Sequence, residues 1–192
     1  MKLYQKVKIP DFDIKQKELL DLVKRKFSNT SVLGYYDPSR IDMAMLCPSL
    51  YSYVLKNSIE PVRLFRIYNS PPGQGLGPHI DGGEFNRSPI GLNLPILNCS
   101  NSLMKWWDES TANKVTGNFG WNGIPATKIL NPGELKCLDQ VEIDCPTFVR
   151  TDFIHSVENY NSGPRIVLSI RWNYDKIRGQ NFEDVFKYDD VI

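Results

Sequence analysis

The sequence predicts a mainly β fold with helices confined to its first third, and three observations carry that prediction. Beyond Pro61 the chain breaks into short runs rich in β-branched and aromatic residues, separated by Gly, Pro, Asn and Asp. Several runs alternate with a two-residue period. The clearest is Arg165-Ile166-Val167-Leu168-Ser169-Ile170-Arg171-Trp172, where Ile166, Leu168, Ile170 and Trp172 share one face and Arg165, Val167, Ser169 and Arg171 the other. Strands and helices do not alternate, which argues against a doubly wound sheet and for a sandwich, barrel or jelly roll.

Taken in order, the first element is a helix capped by Asp11 or Asp13, with Ile14, Leu19, Leu22, Val23 and Phe27 on its inner face. Lys15, Lys17, Glu18, Lys24 and Lys26 fall outside. Pro48 suits the first turn of a shorter helix through Leu50, Tyr53 and Val54. Strands are expected near 62–69, 90–97, 102–108, 126–130, 134–142, 146–150, 153–157 and 164–173. This divides a single structural domain into an N-terminal helical extension (1–60), a β core (61–175) and a C-terminal tail (176–192).

At 192 residues the chain is long enough to bury a core unaided, since folding at this size hides roughly 70% of the unfolded surface. Twenty-three Lys and Arg against 22 Asp and Glu leave a net charge of +1, which disfavours a nucleic-acid-binding surface. No apolar run reaches the length of a membrane span, and the start lacks the apolar segment of a secretory signal. Cys47, Cys99, Cys137 and Cys145 form no CxxC pair and read as reduced thiols, small buried hydrophobes in a cytoplasmic protein.

Both histidines stand in informative settings. Gly77-Pro78-His79-Ile80-Asp81 places an imidazole and a carboxylate two residues apart, on one side of an extended chain. His155 lies in the strand-like Phe153-Ile154-His155-Ser156-Val157-Glu158-Asn159, and Arg165 follows ten residues later. Two imidazoles and one carboxylate on one face of a metal leave the opposite positions open, the facial arrangement of non-haem Fe(II) oxygenases. Arg165 adds a planar, permanent charge suited to a carboxylate. With 14 Asp and 9 Arg in the chain, composition alone gives this spacing about one time in a hundred.

These residues resemble the 2-oxoglutarate/Fe(II)-dependent dioxygenase superfamily. The likeness rests on His79-x-Asp81, His155 and Arg165 in that order, and on the strand from Pro164 to Trp172; it covers residues 62–173. Within the superfamily the chain is similar to compact prolyl-hydroxylase-like or aspartyl/asparaginyl-hydroxylase-like proteins, phage and marine sequences among them. The resemblance implies a double-stranded β-helix, a jelly-roll or cupin-like barrel with helices packed outside. It implies Fe(II) on His79, Asp81 and His155, with 2-oxoglutarate as cosubstrate and O2 as oxidant. Arg165 would grip the far carboxylate of 2-oxoglutarate, and the substrate would be a peptidyl side chain or a small molecule. Retention of Asp81 favours hydroxylation over halogenation.

Further candidates are weaker. Tyr68, ahead of the Asn69–Pro78 loop, is expected to reach the cosubstrate or to sit in the core. Asn93 breaks an apolar run, so its amide needs a partner from the fold or from a ligand. Arg171 shares the Arg165 face and stands six residues on, a spacing similar to the second arginine of DNA-alkylation-repair dioxygenases. It is read as a contact to cosubstrate or substrate, or as a rim arginine in a salt bridge. Trp106 and Trp107 are either pocket walls or one core and one surface residue. Glu84 and Arg87 are placed near the pocket mouth. Pro71-Pro72-Gly73-Gln74-Gly75-Leu76-Gly77 matches no phosphate-binding pattern and is read as a mobile loop or lid beside the metal. Two rival readings remain: a cupin-like metalloprotein that ignores 2-oxoglutarate, and a non-enzymatic jelly roll with a vestigial site.

Overall fold

The computed structural model describes residues 2–27, 31–81, 89–117, 126–173, 181–188 and 190–192. In chain order the elements are β1 (Tyr4–Lys6), α1 (Phe12–Lys26), β2 (Gly34–Tyr36), α2 (Arg40–Leu46), α3 (Pro48–Asn57), β3 (Val62–Ser70), β4 (Gly75–Ile80), β5 (Ile90–Leu97), β6 (Ser102–Trp107), β7 (Lys114–Gly117), β8 (Ala126–Ile129), β9 (Cys137–Glu142), β10 (Thr147–Arg150), β11 (His155–Asn159) and β12 (Arg165–Trp172). They form two six-stranded antiparallel sheets, ordered β1-β10-β5-β12-β3-β2 and β7-β8-β4-β11-β6-β9. The mainly β jelly-roll prediction holds.

All eight residues of β12 are buried, so both faces of the first sheet are covered. Its apolar face (Phe65, Ile67, Leu92, Leu94, Phe148, Ile166, Leu168, Ile170, Trp172) joins Leu19, Leu22 and Val23 of α1, Met43 of α2, and Leu50 and Val54 of α3 in the largest core cluster. The main core therefore lies between sheet and helices, outside the space between the sheets. Each fully buried Leu or Ile there contributes about 1.5–3 kcal/mol. A smaller cluster around Met104, Trp106, Val141 and Val149 joins the two sheets, and another, around Ile80, Ile129 and Ile154 with Trp107, lies on the second sheet. What is left between the sheets is a polar cavity.

Several elements depart from expectation. Ile14, assigned to the inner face of α1, is 53% exposed, whereas Lys15, assigned outside, is buried. The Lys15 stem crosses the Tyr53 ring and its ammonium donates to the Pro10 carbonyl at 2.5 Å, so the aliphatic chain is hidden while the charge keeps a partner. Asp11 occupies the N-cap position of α1 with φ 50° and makes no side-chain cap bond. Helix α2 begins with a capping box in which Ser39 and Asp42 satisfy each other's backbone amides. Strands β1, β2 and β7 have three or four residues each, too few to carry a period.

The stretch read as a lid is largely a strand: Gly75–Ile80 is β4, paired with β11 on one side and β8 on the other. A side chain at Gly75 would place its Cβ 1.8 Å from the Val157 carbonyl oxygen, so glycine here serves close strand approach. In the stretch beyond 176, Phe182, Val185 and Phe186 are buried in the main core, with the Phe182 and Phe186 rings 5.6 and 5.8 Å from Phe148.

Candidate metal centre

His79 and His155 are direct partners across the β4–β11 pairing, and their ring centroids lie 4.4 Å apart. Between the His155–His79 and Val157–Leu76 pairs, β4 spends one residue more than β11, a bulge at Gly77–Pro78. The bulge turns His79 inward and brings the Gly77 carbonyl 2.7 Å from the His79 Nδ1 atom. His155 repeats the arrangement, with Nδ1 3.0 Å from the Phe153 carbonyl. A carbonyl can only accept, so each Nδ1 carries the proton and each Nε2 presents its lone pair. Asp81, just past β4 and tied by its amide to the Thr151 carbonyl, places Oδ1 3.4 Å from His79 Nε2 and Oδ2 3.9 Å from His155 Nε2. Ligand atoms from the three residues all lie within 4.8 Å of one another, and this is the one such group among the described residues.

Burial and neighbouring charges act differently on the three groups. Burial opposes ionisation of Asp81, but the Arg171 charge and the two imidazoles outweigh it and hold the carboxyl well below its ordinary range. Burial and the neighbouring His79 push His155 down to about 4, leaving it neutral near pH 7. For His79 burial also disfavours charge, yet the hydrogen bond and charge of Asp81 prevail and raise it.

The cavity around this group is lined from both sheets by Tyr68, Asn93, Arg165, Val167 and Arg171 on one side, and by Leu76, Met104 and Val157 with the histidines on the other. Tyr68, Asn93, Arg165 and Arg171 thus converge with the triad. Arg165 is 3% exposed, and its one hydrogen bond among the described residues comes from Nε to the Ser102 Oγ at 3.0 Å. Burial lowers its pKa, and no described carboxylate pairs with it. Asn93 Oδ1 is buried without a partner. Arg171 is buried rather than on the rim. Its Nη2 sits 2.9 Å from Asp81 Oδ2 and its Nη1 donates to Thr151 Oγ1 at 2.7 Å.

Trp106 is a core residue whose Nε1 donates to the Arg150 carbonyl, while Trp107 turns to the other face and donates to Ser156 Oγ. Neither walls the cavity. Glu84 and Arg87 lie outside the described residues. Of the four cysteines read as buried hydrophobes, Cys47 and Cys99 are buried, but Cys137 is exposed on the edge strand β9 and Cys145 is half-buried; burial pushes the Cys47 thiol up to about 12. The sequence reading missed Ser102, Thr151 and Asn159. A β-strand alternation count could have put Ser102 opposite Asn159 only with the pairing in hand.

No family profile matches the chain, and no curated protein sequence does. Solved structures do. The non-haem α-ketoglutarate-dependent carbocyclase SnoK from nogalamycin biosynthesis superposes with a TM-score of 0.57 at 9% identity, over 88% of this chain and 78% of that one. The epimerase SnoN, in complex with Fe3+, α-ketoglutarate and nogalamycin RO, gives 0.52 at 13% identity over 88% and 78%. At such identities the likeness establishes the fold: a jelly-roll barrel of the kind those enzymes share, here enclosing a His–Asp–His group.

Proposed function

We propose that this protein is an Fe(II)- and 2-oxoglutarate-dependent dioxygenase that hydroxylates an unactivated C–H bond of a peptide side chain or small molecule. The observation that carries the reading is Arg165, a buried guanidinium without a described carboxylate partner, in the cavity that holds the triad. A buried cation of this kind is costly unless an anion meets it. A cupin-like metal site gives it no such anion.

The donor set fits the metal. Two neutral Nε2 atoms fixed by their Nδ1 bonds and one ionised carboxylate are ligands for Fe(II), and Arg171 and Thr151 back them. When bound, iron with O2 and 2-oxoglutarate supplies the oxidising power, releasing succinate and CO2. His79, Asp81 and His155 would hold the metal at the wall of the cavity. Arg165, held in place by Ser102, would anchor the far carboxylate, and Asn93 and Tyr68, which line the same cavity, would meet the cosubstrate between Arg165 and the metal. Leu76, Met104, Val157 and Val167 exclude water around it. Four unpaired cysteines favour a reducing, cytoplasmic setting.

The test is an anaerobic titration of Fe(II) and 2-oxoglutarate, followed by the visible band of their chelate. The band is expected in wild type and absent in His79→Ala. Arg165→Ala is expected to keep Fe(II) and to weaken 2-oxoglutarate about a hundredfold. Iron binding without a band in wild type favours the cupin-like reading; no iron binding leaves a vestigial site.

A further inference from the structure

Arg171 gives the cavity a charge that the proposed cofactors do not match. The described residues lining it include two arginines, Arg165 and Arg171, and one carboxylate, Asp81. The imidazoles must be neutral to ligate, so they add nothing. A divalent metal raises the sum to three positive charges, and dianionic 2-oxoglutarate removes two. Among the described residues one positive charge is left over, beside the apolar walls Leu76, Met104, Val157 and Val167.

The location of that excess is fixed by the strand. Arg165 and Arg171 share one face of β12 six residues apart, which separates their Cα atoms by about 20 Å. Arg165 lies at the Ser70–Ser102 end, where the far carboxylate of the cosubstrate belongs. Arg171 lies beside Asp81, at the metal end, where a C–H bond must be brought for oxidation. Thr151 takes one of the five N–H donors of Arg171, Asp81 meets the fork as an ion pair, and no other described residue accepts a hydrogen bond from it. The fork packs against β5, because the Gly91 backbone leaves it room.

Resting on the dioxygenase reading above, we propose that the substrate carries a carboxylate and that Arg171 receives it beside the metal. Arg171 is then a specificity-determining residue: its planar fork keeps one edge on the metal ligand and offers the remaining donors to the substrate.

The experiment uses the full chain loaded with Zn(II), which does no redox chemistry, and saturated with 2-oxoglutarate. Uptake of both is first measured directly in wild type, R171Q and R171K. Ligand-observed NMR then compares N-acetyl amino acids with their C-terminal primary amides, pair by pair. Acids are expected to bind about tenfold more tightly than their amides in wild type. The preference should vanish in R171Q and return in part in R171K. Amides that bind as well as acids, an acid preference that survives in R171Q, or no acid binding at all would overturn the proposal. If wild type fails to take up Zn(II) or 2-oxoglutarate, the parent reading falls first and this one with it. The acid–amide comparison in wild type stands alone should R171Q not fold.

Discussion

Arg171 Nη2 holds Asp81 Oδ2 at 2.9 Å while Asp81 Oδ1 faces His79 Nε2 at 3.4 Å, so the two oxygens of one carboxylate have different partners. Oδ2 also lies 3.9 Å from His155 Nε2, so each oxygen faces one imidazole and Oδ2 is in addition tied to an arginine. A carboxylate tied in this way is held in a fixed orientation toward the two imidazoles.

That geometry depends on a residue with no side chain. A Cβ at Gly91 would lie 2.7 Å from Arg171 Nη1 and 2.8 Å from its Cζ, closer than contact allows. Gly91→Ala is therefore expected to push the guanidinium off Asp81 and to lower Fe(II) affinity about tenfold, although Gly91 touches no ligand. Isothermal titration of Gly91→Ala, Arg171→Gln and the double variant checks this. The double variant should be no worse than Arg171→Gln, because Gly91 acts only through Arg171. Fully additive losses would sink the idea.

Asn159 organises the opposite end of the cavity. Its Nδ2 donates to the carbonyls of Ser70, Pro71 and Gly163, and its Oδ1 accepts from the Asn161 amide. These bonds join the end of β3 to the turn that launches Arg165. Asn159→Ala leaves buried carbonyls without donors and should cost about 1–3 kcal/mol in urea unfolding. Affinity for 2-oxoglutarate should fall more than affinity for Fe(II), since the damage is at the Arg165 end. Equal losses of both would mean a general loosening of the barrel instead.

How much of this was readable in advance follows from the range of each signal. That His79, Asp81, His155 and Arg165 line one cavity follows expectations drawn from residue type and spacing alone. Strands β3, β5, β6 and β8 to β12 were legible because runs of β-branched and aromatic residues between turn formers mark them. β4 was not, because Gly75, Gly77 and Pro78 look like loop residues and are there for close approach and a bulge. Ser102, Thr151 and Gly91 matter only through partners 63, 20 and 80 positions away, and no local pattern encodes such pairings.

The C-terminal stretch teaches the same lesson about burial. Phe186 is fully buried, 5.8 Å from Phe148 and 5.9 Å from Trp172, and it bridges to Ser58 at the end of α3. In the sequence this segment reads as part of a C-terminal tail, residues 176–192. Phe186→Ala should lower stability by about 3–5 kcal/mol, measured by chemical denaturation. A loss under about 1 kcal/mol would place this segment outside the cooperative unit.

The capping box of α2 supplies a pH-dependent test remote from the metal. Ser39 Oγ accepts from the Asp42 amide at 3.0 Å, and Ser39→Ala should cost about 1 kcal/mol at neutral pH. Asp42 accepts from the Ser39 hydroxyl and amide and pairs with Lys26, and these contacts hold its pKa at about 2, below the ordinary 3.8. A carboxyl depressed in the folded state stabilises fully above the unfolded value, and that contribution disappears as pH falls through the folded one. The gap in melting temperature between wild type and Asp42→Asn should therefore be constant from pH 7 to about pH 5, then close between pH 4 and pH 2. A gap that persists at pH 2 would show that the asparagine disturbs the helix by its shape, not by the missing charge.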